Sequence, residues 1–157
     1  MTARTISSRL LSLGLSLPSS NTPRGGYVPF MKVDNLLFIA GQAPRLDGVL
    51  KFAGKVGVDL SIEQGQEAAR ICGLNILGHL AQVVGDDPDK VVCIARVAGV
   101  VNCREDFELH SKVLDGASEL FTSVLGDAGR HVRIATGASS LPSRMAVEVE
   151  AIIRLCD

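Results

Sequence analysis

The chain has 157 residues, of which 46% are hydrophobic and 21% charged, so its length and composition predict a single globular domain. Its 16 Lys and Arg residues nearly balance 17 Asp and Glu residues, and it contains five Phe, one Tyr and no Trp. A nucleic-acid binder or a protein that binds anionic membranes would show a basic field, and a single-strand binder would also show stacking aromatics. The composition therefore disfavours both classes.

The first 33 residues contain four basic residues and no acidic one, which raises the question of a targeting peptide. The stretch SRLLSLGLSLPSSN is interrupted by Ser and Gly, so it lacks the apolar core of a signal peptide and favours a docking segment over residues 1–21. No apolar run approaches the ~18 residues of a membrane span. The cysteines are far apart and form no CxxC pair, which is typical of buried reduced thiols in a cytoplasmic protein: Cys72, Cys93, Cys103 and Cys156.

The first half of the chain predicts a strand, a hairpin and a helix. The apolar run Leu36 to Ala40 predicts the strand, and the Asp47-Gly48 pair marks a tight hairpin turn. Ser61 and Gln64 form the capping-box pair that begins a helix. That helix has an apolar residue at every third or fourth position until Gly85 ends it: Ala69, Cys72, Ile76, Leu80 and Val83.

The second half predicts a strand, a helix and two further strands. The β-branched run Val91 to Val101 predicts a buried strand, and Asn102 with Glu105 predicts the start of the second helix. Gly126 or Gly129 ends that helix, whose apolar face comprises Phe107, Val113 or Leu114, Ala117, Leu120, Phe121 and Val124. A strand in HVRIATGASSLP precedes the last strand, which places Val147, Val149 and Ala151 on one face and Glu148, Glu150 and Ile152 on the other.

This element order predicts an α/β domain in which two helices cover one face of a mixed sheet. No predicted helix remains for the second face. In a small chain, a bare apolar sheet face usually packs against another subunit. The sequence therefore predicts an oligomer.

Few residues offer chemistry, because GxGxxG, Walker, HExxH and GxSxG motifs are absent from the sequence. His79 is best interpreted as a surface or core histidine of the first helix. His110 and His131 are separated by a predicted helix and would need a third ligand to hold a metal, so no metal site is predicted. The Arg133 side chain stands in an apolar strand and needs an anionic partner. Two interpretations stay open: an ion pair with Glu148, or a carboxylate site in which Arg133 binds the anion and Glu148 handles water or a proton.

Several segments resemble, in order, the YjgF/RidA (reactive intermediate deaminase) family, and more closely its L-PSP endoribonuclease-like subgroup. They are GGYVPF, NLLFIAGQAP, an EAAR-containing helix, DFELHSKVLDGASELF, GRHVRIATGASSLP and VEVEAI, which together span residues 22–155. The resemblance implies a chorismate-mutase-like α/β fold that assembles as a homotrimer. It also implies active sites in the three subunit clefts that need no metal and no cofactor.

The resemblance also assigns roles to individual residues. Arg133 falls on the carboxylate-binding arginine, Glu148 on the water-orienting glutamate and Tyr27 on an active-site tyrosine. Ala40 and Gly41 fall on the family's SGQ backbone, with Ala in place of Ser. The second helix, where deaminases carry an Asn, offers Ser111 nearby and an insertion of about four residues shortly afterwards.

A further departure lies two positions after the arginine, where Ala135 replaces the family's active-site Cys. His131 and His110 belong to the subgroup's pattern and are candidates for contributing to a reshaped pocket. The implied function is hydrolysis of a 2-imino acid to a 2-keto acid and ammonia. Three alternatives remain: a non-catalytic binder of small carboxylates, which Ala135 favours; a pathway-specific hydrolase or cyclase acting on an imine or amide; and, least favoured by charge and aromatic content, a ribonuclease.

Overall fold

A computed structural model describes residues 5–19 and 25–157. It contains a five-stranded sheet, a small two-stranded hairpin and three α-helices within those residues. In chain order the elements are α1 (Ile6–Ser12), β1 (Phe30–Val33), β2 (Leu36–Gln42), β3 (Arg45–Leu46), β4 (Val49–Leu50), α2 (Ile62–Val84), β5 (Val91–Asn102), α3 (His110–Leu125), β6 (Val132–Ala138) and β7 (Val147–Leu155). The predicted α/β class is confirmed, as are the predicted types of α2, α3 and strands β2 to β7, whereas β1 is not among the predicted elements.

The strand order of the large sheet is β1-β2-β7-β5-β6, which makes β6 an edge strand. Strands β5 and β6 run parallel, and the other neighbours are antiparallel, so the sheet is mixed. The register of β2 against β7 shifts between Ile39 and Gln42. This irregularity lies at Ala40 and Gly41, two of the predicted site residues.

The predicted start and end of helix α2 are confirmed. The Ser61 hydroxyl accepts from the backbone N–H of Gln64, and the Gln64 side chain accepts from the Ser61 N–H. Gly85 ends the helix in the left-handed conformation, with a φ of 69°. The Asp47-Gly48 turn joins β3 to β4, but this hairpin stands apart from the large sheet.

The predicted start of the second helix is wrong. Asn102 is the last residue of β5, and its buried amide accepts from the Lys55 Nζ and donates to the Met145 carbonyl, each at 3.2 Å. The helix begins at His110 instead, without a side-chain cap at Leu109. Asn102 resembles a helix cap in the sequence, but tertiary hydrogen bonds use both ends of its amide.

The core lies between the sheet and the helices α2 and α3. In β7 the side chains of Val147, Val149 and Ala151 are buried, and Glu148 and Glu150 point to the opposite face, as predicted. Strand β5 differs from its prediction as a fully buried strand. Its residues alternate in burial, and Val92 is 45% exposed. No helix in the described part of the chain covers the second face of the sheet.

Helix α1 lies in the predicted docking segment, of which residues 1–4 and 20–21 fall outside the described residues. Ile6 and Leu10 are fully buried in the core. The Ser7 backbone N–H donates to the Asp86 carboxylate at 2.9 Å, and the Arg9 guanidinium donates to the Val124 carbonyl at 2.9 Å. Because Asp86 follows α2 and Val124 lies in α3, the segment joins the ends of both long helices.

All four cysteines are free thiols. Cys72 and Cys103 are buried as predicted, whereas Cys93 is half-buried and Cys156 is exposed, so the expectation of four core cysteines is wrong. His79 is a core residue with 3% exposure. Among the described helices, none has the length and apolar character needed to cross a membrane.

Candidate active site

Polar side chains line the seam between the edge strand β6 and helix α3. This seam, the arginine groove, comprises Ser111, Asp115, Ser118, His131 and Arg133. Arg133 is paired in register with Val97, which is fully buried, so the arginine points to the helix side of the sheet. Its guanidinium reaches three residues of α3: Ser111, Asp115 and Ser118. Their spacing of four and three residues places them on one face of the helix.

The guanidinium of Arg133 is held by hydrogen bonds on both of its terminal nitrogens. Nη1 donates to Asp115 Oδ1 at 3.0 Å and to Ser118 Oγ at 2.9 Å. Nη2 donates to the Ser111 carbonyl at 3.1 Å and to its hydroxyl at 2.6 Å. The anionic partner of Arg133 is therefore Asp115, and the interpretation of an ion pair with Glu148 is wrong.

His131 lies in the same groove, just before β6 begins. Its Nδ1 lies 2.7 Å from the Gly129 carbonyl oxygen, and its Nε2 lies 2.9 Å from Ser118 Oγ. The ring also packs edge-on against Phe121, with the centroids 5.8 Å apart. These contacts fix the imidazole beside the serine that holds Arg133.

Ala135 lies two residues beyond Arg133 on β6, in register with Gly99 of β5. It is half-buried, and its side chain packs against the hydrophobic core. The position that carries a Cys in the resembled family thus carries a methyl group on the helix side of the sheet.

His110 forms no hydrogen bond with Arg133 or His131 and packs against other residues of its own chain. Its Nε2 lies 3.5 Å from the sulfur of Cys103, and its ring packs edge-on against Phe107 at 5.0 Å. A Cβ on Gly137 would collide with both His110 and Cys103, so a glycine is required there. Burial raises the pKa of the Cys103 thiol, which favours its neutral form.

Glu148 lies on the opposite face of the sheet, the face without helices. Glu148 pairs with Val100 of β5, whereas Arg133 pairs with Val97. Because side chains alternate along a strand, this spacing of three residues places the two side chains on opposite faces. The Glu148 carboxylate packs so closely on Gly41 that a Cβ there would collide with it. Burial, and then the nearby Glu150 charge, raise the pKa of Glu148 above its usual range.

Two further predicted site residues are Ala40, which lies in β2, and Tyr27, which precedes β1. The Ala40 N–H donates to the Pro29 carbonyl at 2.9 Å, and Ala40 lines a shallow hollow of about 260 Å³ that also contacts Glu150. Tyr27 is 56% exposed, with its ring against Gly25. The tyrosine is therefore accessible to solvent in a single chain.

The structure brings the predicted residues together in two groups. Arg133, Ser111 and His131 share the groove on the helix side, and Ala135 follows on the same side of β6. Glu148, Gly41 and Ala40 share the helix-free side. Since the sheet separates the groups, Arg133 and Glu148 do not meet within one chain.

The sequence interpretation missed Asp115 and Ser118, which contact Arg133 directly. Their signal is the polar stripe that they form with Ser111 on one side of a helix whose other side is apolar. Within residues 5–19 and 25–157, no three His, Cys, Asp or Glu side chains form a group suited to a metal ion.

Comparison with known proteins gives one family. Residues 7–152 match the family model described as "YjgF/chorismate_mutase-like, putative endoribonuclease". The chain is 35% identical to "Protein TCP17" of Trypanosoma cruzi over 151 residues, covering 96% of this chain and 94% of that protein.

Two solved structures are similar along nearly their whole length. The protein Atu1372 of Agrobacterium tumefaciens, of unknown function, has a TM-score of 0.90 and 36% identity over 96% of this chain and 92% of that one. A putative endoribonuclease from Shewanella oneidensis has a TM-score of 0.91 and 34% identity, over 96% and 99% of the two chains. The chain therefore belongs to the YjgF/chorismate mutase-like family.

Proposed function

We propose that the protein hydrolyses small imine or enamine carboxylates, converting a 2-imino acid and water into a 2-keto acid and ammonia. The observation that carries this proposal is the Glu148 carboxyl, half-buried against Gly41 with a raised pKa. A carboxyl whose pKa moves toward neutrality can accept and return a proton during turnover. Family membership and the arginine groove support the same chemistry.

The complete site would form between copies of the chain. Arg133 and Glu148 lie on opposite sides of the sheet, so only a neighbouring copy can bring one group to the other. The helix-free face exposes apolar side chains that suit such packing: Phe38 at 40%, Val132 at 69% and Ile134 at 49%. We propose a homotrimer with a site at each of its three interfaces.

In this site Arg133 would hold the substrate carboxylate. Both hydrogen bonds of Nη2 go to the exposed residue Ser111, so a substrate carboxylate would replace Ser111 as the acceptor of one of them. A guanidinium that is already fixed loses little conformational freedom when it binds an anion. Binding there orients the imine carbon toward the carboxylate of Glu148.

Glu148 would align a water molecule against that carbon. As the water oxygen bonds to the carbon, Glu148 accepts its proton and then returns one to the nitrogen. This gives a carbinolamine, whose hydroxyl proton Glu148 then passes to the nitrogen as the carbon–nitrogen bond breaks. Ammonia leaves, and the keto acid remains. The imine carbon is already electrophilic, so this scheme uses no metal or cofactor. The four free thiols fit a reducing compartment such as the cytoplasm.

The test is ammonia release from imino acids that an L-amino-acid oxidase generates in the assay, with semicarbazide as the competing trap. We expect the wild-type protein to reduce semicarbazone formation and Arg133→Ala to lose this effect by about 100-fold or more. Glu148→Gln should lose turnover but still bind a keto acid. Arg104→Ala removes an exposed arginine that also pairs with an aspartate, and Glu119→Gln removes an exposed carboxylate, so both serve as matched controls.

Undiminished turnover in Arg133→Ala would contradict the proposed site. A wild-type protein that binds a keto acid through Arg133 without turnover would instead identify a carboxylate-binding protein. That outcome would reject the hydrolase and retain the site.

A further inference from the structure

A continuous chain of hydrogen bonds links four groups in the arginine groove. It runs from the Gly129 carbonyl to His131, from His131 to Ser118, and from Ser118 to Arg133. The three heavy-atom distances are 2.7, 2.9 and 2.9 Å. Each lies in the range of a well-formed hydrogen bond.

The direction of each hydrogen bond follows from the groups at its ends. A carbonyl oxygen only accepts, so the Nδ1 of His131 carries a proton and donates it to Gly129. In the neutral ring, Nε2 is then the acceptor, and the Ser118 hydroxyl donates to it. Arg133 only donates, so Ser118 Oγ accepts from its Nη1.

This arrangement matches an activated serine. The hydroxyl points its proton at a base, the base is oriented by a third group, and a cation lies against the oxygen that would carry negative charge. Ser118 and His131 are both only partly buried, so part of each residue is open to solvent.

We propose that Ser118 is a nucleophile and His131 its general base, forming a second catalytic device in the arginine groove. Its substrates would be short esters or amides that carry a carboxylate. Arg133 would draw the anionic group by its positive charge, and the hydrogen bond from Nη1 would stabilise the negative charge that develops on Ser118 Oγ as its proton leaves.

The reaction balances as an acyl transfer. Ser118 Oγ bonds to the carbonyl carbon while its proton moves to His131 Nε2. The carbon–oxygen or carbon–nitrogen bond to the leaving group breaks, and the leaving group takes that proton. Water then attacks the acyl-serine, gives a proton to Nε2, and releases the acid as the proton returns to Oγ.

This device differs from the proposed imine hydrolysis, although both use Arg133. It needs no Glu148 and no neighbouring copy, since all its groups belong to one chain. It also forms a covalent intermediate, which imine hydrolysis does not require. The two activities can therefore fail independently.

The experiment is covalent labelling of the full-length protein with an alkyl fluorophosphonate, in which the serine oxygen bonds to phosphorus and fluoride leaves. Intact mass and peptide mapping locate the adduct. We expect one adduct on Ser118, its loss in Ser118→Ala, and an unchanged labelling rate in Ser123→Ala, which alters an exposed serine of the same helix. His131→Asn keeps a donor for the Gly129 carbonyl but removes the base, so it should slow labelling by about 100-fold.

Two results would overturn the proposal. One is a folded wild-type protein, as judged by circular dichroism, that gains no adduct on Ser118 over hours of exposure. The other is labelling at an equal rate in His131→Asn, which would leave Ser118 as a residue that only positions Arg133. A protein that labels at Ser118 and lacks imine turnover would retain this proposal and reject the imine hydrolase.

Discussion

The two faces of the large sheet are built by the same strands, but helices cover only one of them. On the helix side, Val97 and Val149 pack against α2 and α3 and are fully buried. On the other side, Val132 and Ile134 are 69% and 49% exposed. Strand alternation supplies apolar side chains to both faces, whereas the chain has helices for only one. The uncovered face is therefore the one available for packing against another copy of the chain.

The charged groups of the two faces differ in the same way. Arg133 is held in place by Asp115, Ser111 and Ser118 of its own chain. Glu148 is instead acted on by burial and by the like charge of Glu150, both of which disfavour its ionised form. The Arg133 guanidinium is held in a fixed position, which suits it to binding an anion. The ionised form of the Glu148 carboxyl is disfavoured, which suits this group to exchanging protons.

The largest expected difference between the faces is in stability. Phe121 on the helix side is fully buried, so Phe121→Ala should cost about 3–5 kcal/mol of unfolding free energy because it leaves a cavity. Phe38 on the other side is 40% exposed, and Phe38→Ala should cost about 1 kcal/mol or less in the isolated chain. Urea unfolding at low protein concentration compares the two, and equal losses would contradict the contrast.

The helix-free face can be tested through assembly. Ile134→Asp places a charge in the exposed apolar patch, and we expect the mass in solution to fall from about three times the 16.6 kDa chain mass to that of one chain. Light scattering after gel filtration measures this. Val49→Asp alters an exposed valine of the separate hairpin and should leave the mass unchanged. An assembly that survives Ile134→Asp would place the interface elsewhere.

Changing the charge balance of the arginine groove should have a smaller effect, on the affinity for an anion. Asp115→Asn removes the anion beside Arg133, so calorimetry should show a small keto acid such as pyruvate binding up to about tenfold more tightly. The half-exposed ion pair itself should contribute no more than about 1 kcal/mol to stability. Asp106→Asn, which disrupts the exposed pair with Arg104, is the control. Weaker binding in Asp115→Asn would show that the aspartate is needed to orient the guanidinium.

The smallest effect concerns Glu148 and pH. Its pKa is raised in the folded chain, so folding favours the protonated form, and stability should fall as pH rises from the ordinary value of 4.5 through the raised pKa. Glu148→Gln should therefore melt at a higher temperature than the wild type at pH 7 and at a similar temperature near pH 4. Glu119→Gln, at an exposed position, should show no such difference. A wild-type advantage at pH 7 would mean that Glu148 has a stabilising partner.

Much of the fold could be predicted from local patterns. The capping pair Ser61 and Gln64, the left-handed Gly85 and the alternation of β7 each depend on a few neighbouring residues, and each is confirmed. The start of α3 could not be predicted in this way. Asn102 carries a local cap signal, but its amide binds Lys55 and Met145, which are distant in sequence.

The candidate site could likewise be predicted only in part. The sequence singled out Arg133 and Glu148 because a charge among apolar strand residues needs a partner. It did not identify Asp115 as the partner of Arg133, since that pairing depends on how α3 lies against β6.

Most element types, the uncovered second face of the sheet and the charged residues within strands could be predicted from the sequence, because these follow from short-range periodicity and composition. The folded chain was needed to show that Arg133 and Glu148 face opposite sides of the sheet and that Ser118 contacts both His131 and Arg133. Strand register and helix placement set those relations, and both arise from contacts between residues far apart in the chain.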